Sequence, residues 1–557
     1  MPRCRSIHSA SSSRRIAVLM AGLILGMLGL LSLTGCQKDS PQGKSFRFPL
    51  EAEPRQLDPQ VADDPASTAV IAALFEGLTR LDENGKAVPA AADWTVSSDG
   101  KTYTFSLKES YWSTIEETDW ENPTPVRAQD FVYGMRRAVQ PQTGSSLASQ
   151  LFGIVGAREI HDGKQSADKL GVRATDDRTL IITLTEADPS FPERLAGTAF
   201  MPCSESFFQH TGGRYGLEEE YILTNGPFSL AAWNHNESLL LYKHEDYHDA
   251  AEVYPAAVRY VIGSEDTDPG QELLNGRLDA AELSADKLPA ARQAGFSITT
   301  ARDTTRYLWM NNTCELLSVP ETRRALRDAL EWTTLYAQLN AGTSSPAAGY
   351  VPPDAQLTGG ELYRTDQNRR AFSTKVSTAQ QEWATGLEKL ELTSTPHLKV
   401  LCADDEASTN FARYIIQSWQ KNLTVYFELT PLPASSLQSR IQVGNYQLAI
   451  APSTGTSLTA LGHLAAFTSD SSVGNYARYK SDRYDSLYEI AQAGGATRQE
   501  IDQLEQQLMT DCPCVPLAFE QRFFGLNPLT SGIQIRPFGG GDYGAPYDFR
   551  QAGKLDE

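Results

Sequence analysis

Only one stretch of this chain is apolar enough to sit in a membrane. From Ile16 to Leu33 (IAVLMAGLILGMLGLLSL) almost every residue is apolar or small, and no later run approaches 18 such residues. The residues after Cys36, about 520 of them, must therefore bury their apolar side chains against one another in water. A chain of that length exceeds what one core supports and suits two or three domains. Upstream of the run, Arg3, Arg5, Arg14 and Arg15 make a positive start with no acidic residue. A charged start, an apolar middle and a small-residue exit have the form of a secretory signal peptide over residues 1–35. An uncleaved membrane anchor is the alternative, because such a run nearly spans a bilayer. On either reading the body of the protein works outside the cytoplasm.

Taking the four leader arginines from the 49 Lys and Arg leaves 45 against 69 Asp and Glu, an excess of 24 negative charges. Such a surface repels phosphate backbones, so no nucleic-acid partner is expected. Without Cys4 and Cys36, five cysteines remain: Cys203, Cys314, Cys402, Cys512 and Cys514. An odd number cannot all pair, and an external location permits disulfides without requiring them. Cys512-Pro513-Cys514 has the wrong spacing for a redox or zinc motif and reads as two small buried residues leading into a strand.

The body reads as α/β. Asn84-Gly85 and Asp99-Gly100 are hairpin turn signals, because both residue types tolerate positive φ. Tyr103, Phe105 and Leu107 alternate with Thr102, Thr104 and Ser106, the pattern of a half-buried strand. Asp176-Asp177-Arg178 turns into another, with Leu180, Ile182 and Leu184 on one face. Helical spacing runs from Ala66 to Leu78, from Glu321 to Leu339, and through Phe411, Tyr414, Ile415 and Trp419. A strand through Val425, Phe427 and Leu429 follows that last helix. Alternating helices and strands imply a sheet covered on its faces. Residues 340–395 read as irregular connection with short helices.

Catalytic and metal motifs are weak. No GxSxG nucleophile elbow occurs, and paired carboxylates for glycoside cleavage are too abundant to single out. An extracellular hydrolase stays as the rival to a binding protein, and no cofactor is expected. His244 and His248 stand four apart near His235, which superficially suits a metal, but the surrounding residues read as a solvated loop and no metal is expected. Gly539 to Gly541 lack a following Gly-Lys-Ser/Thr and read as a loop. Trp94, Trp112 and Trp233 read as packing residues and Trp309 as a ligand contact.

Two resemblances add to this. Leu33-Thr34-Gly35-Cys36, followed by Gln37-Lys38-Asp39-Ser40, resembles the lipobox of bacterial lipoproteins, which implies an acylated (palmitate-bearing) Cys36 as mature N-terminus. EPRQLDPQ at 53–60, LFEGLTRLDENGKAVPAAADWTVSSDGKTYTFSLKESYWS at 74–113 and PVRAQDFVYGMRRAVQPQTGS at 125–145 resemble the family 5 extracellular solute-binding proteins of peptide ABC importers. TNGPFSLAAWNHNESLLLYKHEDYHDA at 224–250, YLWMNN and RRALRDAL within 307–330, and NYARYKSDRYDSL at 475–487 agree in order and spacing. The resemblance implies a two-lobed periplasmic-binding-protein-like fold (type II, with an extra domain in lobe one). Lobe one would span 36–303 with an inserted subdomain at about 76–200, and lobe two 304–517. Residues 518–557 would return to lobe one. It implies a monomer that closes on an oligopeptide or related solute and presents it to an ABC permease and ATPase complex, tethered to a cell membrane by its lipid and facing the exterior or periplasm. A non-peptide ligand, or sensing in place of import, are its variants.

The resemblance also implies a site. Peptide binders of this family hold the peptide main chain as an added strand, and an Asp of lobe two commonly secures the α-ammonium. Residues 447–458 contain no acid; the family's acidic position falls near Gly455, its neighbours on Pro452 and Ser453, and its second cleft arginine on Ala449. Arg440 matches a cleft arginine, Asp63 an acidic position of lobe one, and Tyr307 and Trp309 the strand lining the cleft. Ser453, Thr454 and Thr456 bring hydrogen bonds but no countercharge. Asp63 or Asp64 substitutes for the missing acid, or the ligand lacks an ammonium there.

Overall fold

The computed structural model describes residues 44–557 except 83–85, 115–123, 265–266, 340–341, 366–371, 456, 472–473, 537, 539–545 and 556–557. Cys36, Thr456, the Asn84-Gly85 turn and the 539–541 glycines lie outside the described residues.

The chain begins with β1 (Ser45–Leu50) and α1 (Pro65–Leu74), whose Asp64 cap accepts the Ser67 amide at 2.9 Å. There follow β2 (Ala92–Val96), β3 (Thr102–Leu107), α2 (Ala128–Val139), β4 (Val172–Ala174) and β5 (Thr179–Thr183). β6 (Phe228–Asn234), β7 (Ser238–Lys243), β8 (Ala257–Ile262), β9 (Ala280–Leu283) and the long β10 (Ser297–Met310) come next. Then come α3 (Pro320–Asp328), α4 (Trp332–Ala337), α5 (Val376–Lys389), β11 (Lys399–Ala403), α6 (Glu406–Leu423), β12 (Glu428–Leu432), α7 (Ala434–Val443) and β13 (Leu448–Thr454). α8 (Ala460–Ala465), α9 (Asp482–Gly494), α10 (Arg498–Asp511) and β14 (Cys514–Leu526) complete the main elements.

These strands form two four-stranded sheets, β1-β8-β7-β6 and β2-β3-β5-β4, and a seven-stranded sheet in the order β9-β14-β10-β13-β11-β12, with Ser344–Pro346 added beside β14. In β3 the buried residues are Tyr103, Phe105 and Leu107, and in β5 Leu180 and Ile182, as period-two alternation requires.

The largest core joins the two smaller sheets with α1 and α2 and takes in Phe524, Ile533, Tyr547 and Phe549 from the end of the chain. Two more cores lie on opposite faces of the large sheet. Leu308, Met310, Val400 and Leu448 point to one, beneath α3, α5 and α6; Tyr307, Trp309, Leu401 and Ala449 point to the other, against α8 to α10. β10 and β14 pair antiparallel along their lengths and connect these cores with the first, which gives a two-lobed α/β molecule. Register shifts between Ala301 and Thr304, and between Arg306 and Tyr307, bend this ribbon midway.

Several expectations need correction. The helix expected over 321–339 breaks between α3 and α4, because side chains take its last carbonyls: from α6, Trp419 Nε1 donates to Leu326 O and Asn422 Nδ2 to Ala329 O, and Trp332 Nε1 at the start of α4 donates back to Arg327 O. Residues 340–395 hold a 14-residue helix, α5. It packs on α3 so closely that a Cβ on Gly386 would lie 2.5 Å from Thr322 Cγ2. The strand expected through Val425 starts only at Glu428, after Thr424 ends α6 in the left-handed region. His244 and His248 are not a solvated loop. His244 is buried with Nδ1 against Gly226 O, and the His248 ring is buried against Glu76. Cys512 caps α10 and Cys514 opens β14, both fully buried, and all five described cysteines are free thiols.

Candidate functional site

A cleft of about 900 Å³ runs between the lobes. One wall comes from residues around 146–158 and 184–194, which belong to the first core's surroundings; the other comes from β10, β13, the α8 segment and α9. Alternate residues of β10, namely Asp303, Thr305, Tyr307 and Trp309, share the face that looks into it. β13 lies antiparallel beside them, pairing Thr305 with Ser453 and Thr304 with Thr454. The hydroxyls of Thr304 and Thr454 are 2.9 Å apart.

The aromatic part of the wall is rigid. The Tyr307 and Trp309 rings stand 4.5 Å apart, and Tyr476 meets Trp309 edge-on at 5.3 Å. The Tyr307 hydroxyl donates to Tyr350 O at 2.9 Å, and burial raises the phenol's pKa. Trp309 is only 2% exposed, so it presents an edge to the cleft and gives most of its surface to the core.

The charged side chains of the lining are largely paired. Arg158 and Asp470 meet at 2.5 Å from opposite walls. Asp188 sits 2.5 Å from Arg194 and accepts a hydrogen bond from Gln492 of α9 at 3.1 Å. Asp303, fully buried at the base of the wall, accepts from the Phe538 amide at 2.8 Å and from the Thr304 hydroxyl at 3.1 Å, with Arg522 at 3.5 Å. Burial raises the Glu193 carboxyl and pushes the Tyr488 phenol up to about 12.

Of the expected site residues, Tyr307, Trp309, Ser453 and Thr454 line this one cleft. Asp63 is exposed beside it, accepting from the Ser146 hydroxyl at 2.7 Å; Ser146 is the residue that lines the cleft. Arg440 is exposed on α7 and is not among the lining residues. Asp303, His463 and Gln492 enter the lining unannounced by the sequence, where each stands alone in a segment with no motif.

A family model described as bacterial extracellular solute-binding proteins, family 5 (middle), matches residues 87–475. The chain belongs to this family. Within family 5 it is similar to a dipeptide-binding protein of Lactococcus lactis subsp. cremoris (strain MG1363), 28% identical over 559 residues that cover 95% of this chain and 98% of the relative. Among solved structures it superposes on the pheromone receptor PrgZ with a TM-score of 0.75 at 25% identity, covering 92% of this chain and all of that one. It also superposes on peptide-bound OppA of Listeria monocytogenes with a TM-score of 0.76 at 24% identity, covering 93% and 100%. The family 5 fold is therefore present over both lobes.

Proposed function

We propose that this protein captures an extracellular oligopeptide, or a related extended solute, between its lobes and delivers it unaltered to the permease of an ABC importer. The observation that carries this is the cleft itself: a cavity of about 900 Å³ whose two walls belong to different cores, bridged by Arg158–Asp470 and by Gln492–Asp188. A ligand that touches both walls only when they approach stabilises the closed form by its differential affinity, and a permease then reads that form. The related dipeptide-binding protein and the peptide-bound OppA support peptide as the solute.

Lobe one comprises residues up to about 303 with the C-terminal segment from about 518, and lobe two residues 304–517. Tyr307, Trp309, Ser453 and Thr454 supply lobe two's ligand-facing wall, with Thr456 beyond them in sequence. Cys36 carries a lipid that holds the monomer at a cell membrane. The role is binding, not catalysis.

The test is mass spectrometry of cargo released from the purified protein, followed by calorimetry and small-angle scattering with that cargo. A peptide that binds at one equivalent and compacts the molecule is expected. Turnover of an added substrate with no compaction would replace this reading with an enzymatic one.

A further inference from the structure

The cleft end formed by Gly455 is closed by the ring of His463. A Cβ at position 455 would fall 1.6 Å from His463 Cε1, 2.5 Å from Nδ1 and 2.8 Å from Nε2, so the imidazole occupies the space into which any other side chain there would project. Gly462 repeats the device: a Cβ on it would lie 2.0 Å from Ser457 Oγ. Two glycines thus let α8 lie directly on the end of β13. Both Gly455 and His463 line the cavity.

The ring and its close neighbours Phe538 and Gly455 are uncharged. The Phe538 ring stands edge-on to the imidazole at 4.7 Å. Burial keeps the imidazole uncharged, with its pKa pushed down to about 3. Nε2 has no hydrogen-bond partner among the described residues, and a neutral imidazole keeps one ring nitrogen as an acceptor. Asp303 is a carboxylate of this wall, and its backbone oxygen accepts the Gly455 amide at 2.9 Å. Its side chain is fully buried and already engaged by Phe538, Thr304 and Arg522. The lining's other acids stand on different segments: Asp188 and Asp470 are paired with Arg194 and Arg158, Glu186 and Glu193 belong to the opposite wall, and Asp485 and Glu489 to α9. Among the described residues no carboxylate is paired with His463, so a cation shut against its ring would lose water without a direct counter-ion there, which is costly, whereas a neutral N–H loses little and finds an acceptor.

We propose that His463, seated on Gly455, is a specificity-determining residue of the cleft, and that the ligand terminus lodged against it carries no ammonium, which selects N-terminally blocked peptides over those with a free α-amine. The inference rests on the peptide reading above and adds the chemical class of the terminus.

The test uses the full-length protein and a mixed-sequence tripeptide library, prepared once with free amines and once N-acetylated, with retained peptides identified by mass spectrometry and their affinities measured by calorimetry. The wild type should retain acetylated peptides roughly tenfold or more tightly over their free counterparts. His463→Asn, neutral and smaller, should keep that order. His463→Asp, which places a carboxylate in the same space, should reverse it. Circular dichroism of both variants checks that they fold, and His463→Glu, which brings the same carboxylate on a longer stem and should likewise reverse the order, replaces the Asp variant if that one does not. Retention of neither pool overturns the peptide reading and this inference with it. Free peptides bound as well as acetylated ones by the wild type overturn the inference alone. So does an order of preference that neither substitution at 463 moves, which would leave His463 a packing residue.

Discussion

Gln492 reaches across the cleft and donates from Nε2 to Asp188 Oδ2 at 3.1 Å. The Asp188 carboxylate is already fixed on its own wall, where Oδ1 accepts from the Ser190 amide at 3.0 Å and hydroxyl at 2.7 Å, and Arg194 lies beside Oδ2. α9 therefore docks on an acceptor that is held ready before the lobes meet.

Gln492→Ala should shift the lobes toward the open arrangement. A hydrogen bond to a charged acceptor contributes about 1.5–3 kcal/mol, so ligand affinity should fall by about tenfold or more, with the ligand-free radius of gyration increased in scattering. Arg158→Ala should do much less, because both partners of that bridge are about half exposed and exposed pairs contribute about 0–1 kcal/mol. Equal effects of the two would show that closure does not depend on the α9 contact.

Trp309 serves the core as much as the cleft. At 2% exposure, packed on Tyr307 and Tyr476, its replacement by Ala should cost about 3–5 kcal/mol in denaturant unfolding. Trp309→Phe keeps most of that packing and isolates the cleft edge: a folded variant with weakened ligand binding is expected. Undiminished binding by Trp309→Phe would remove this residue from the site.

Arg137 and Asp58 form a buried pair at 2.6 Å, with Arg137 also bonded to Gln60 at 2.8 Å and lying 3.9 Å from the centre of the Phe208 ring. Asp58→Ala leaves the guanidinium buried without its counter-ion and should cost about 3–5 kcal/mol. Replacement of both by apolar residues of similar volume should cost less than the single change, which a double-mutant cycle by chemical denaturation measures.

His463 should also make the fold acid-sensitive. Its ordinary pKa is 6.5 and burial lowers it to about 3. Below pH 6.5 the unfolded chain takes up a proton that the folded protein refuses, so this group's contribution is complete above pH 6.5 and is lost progressively as pH falls toward 3. His463→Asn lacks the group. Its Tm should drop less than the parent's between pH 7 and pH 4.5, and an identical drop would contradict a buried neutral imidazole.

The lipid reading of Cys36 has its own check. Cys36→Ser should abolish palmitate incorporation and move the protein from the membrane fraction to the soluble one, with ligand affinity unchanged, since the residue precedes every element of the cleft. Retained membrane association without label would favour the uncleaved-anchor alternative.

Much was legible in the order of residues because it depends on near neighbours. Alternation at Tyr103, Phe105 and Leu107 set a buried strand face whatever it packed against. Signals at longer range were not legible. Residues 321–339 have unbroken helical spacing, yet Trp419 and Asn422, about 90 positions away, end α3 by taking its carbonyls. α5 was present in the spacing of Val376, Ala379, Trp383 and Gly386 but hidden among Ser, Thr and Gly; the glycine that weakens the pattern is the one that lets α5 touch α3. His248 looked solvated because its partner, Glu76, lies in another element.

By itself the sequence determined that one 18-residue apolar run precedes a body with α/β periodicity, that the body carries the family 5 pattern, and that the segment 447–458 holds no acid. Those are properties of composition and local period. Only the tertiary structure decided what lines the cleft around that segment: it laid α8 on Gly455, left Arg440 outside the lining, and brought Gln492 to Asp188 across 304 residues of chain. The reason is that a cleft wall is made by packing between segments distant in sequence, and close approach at a glycine cannot be read from the glycine alone.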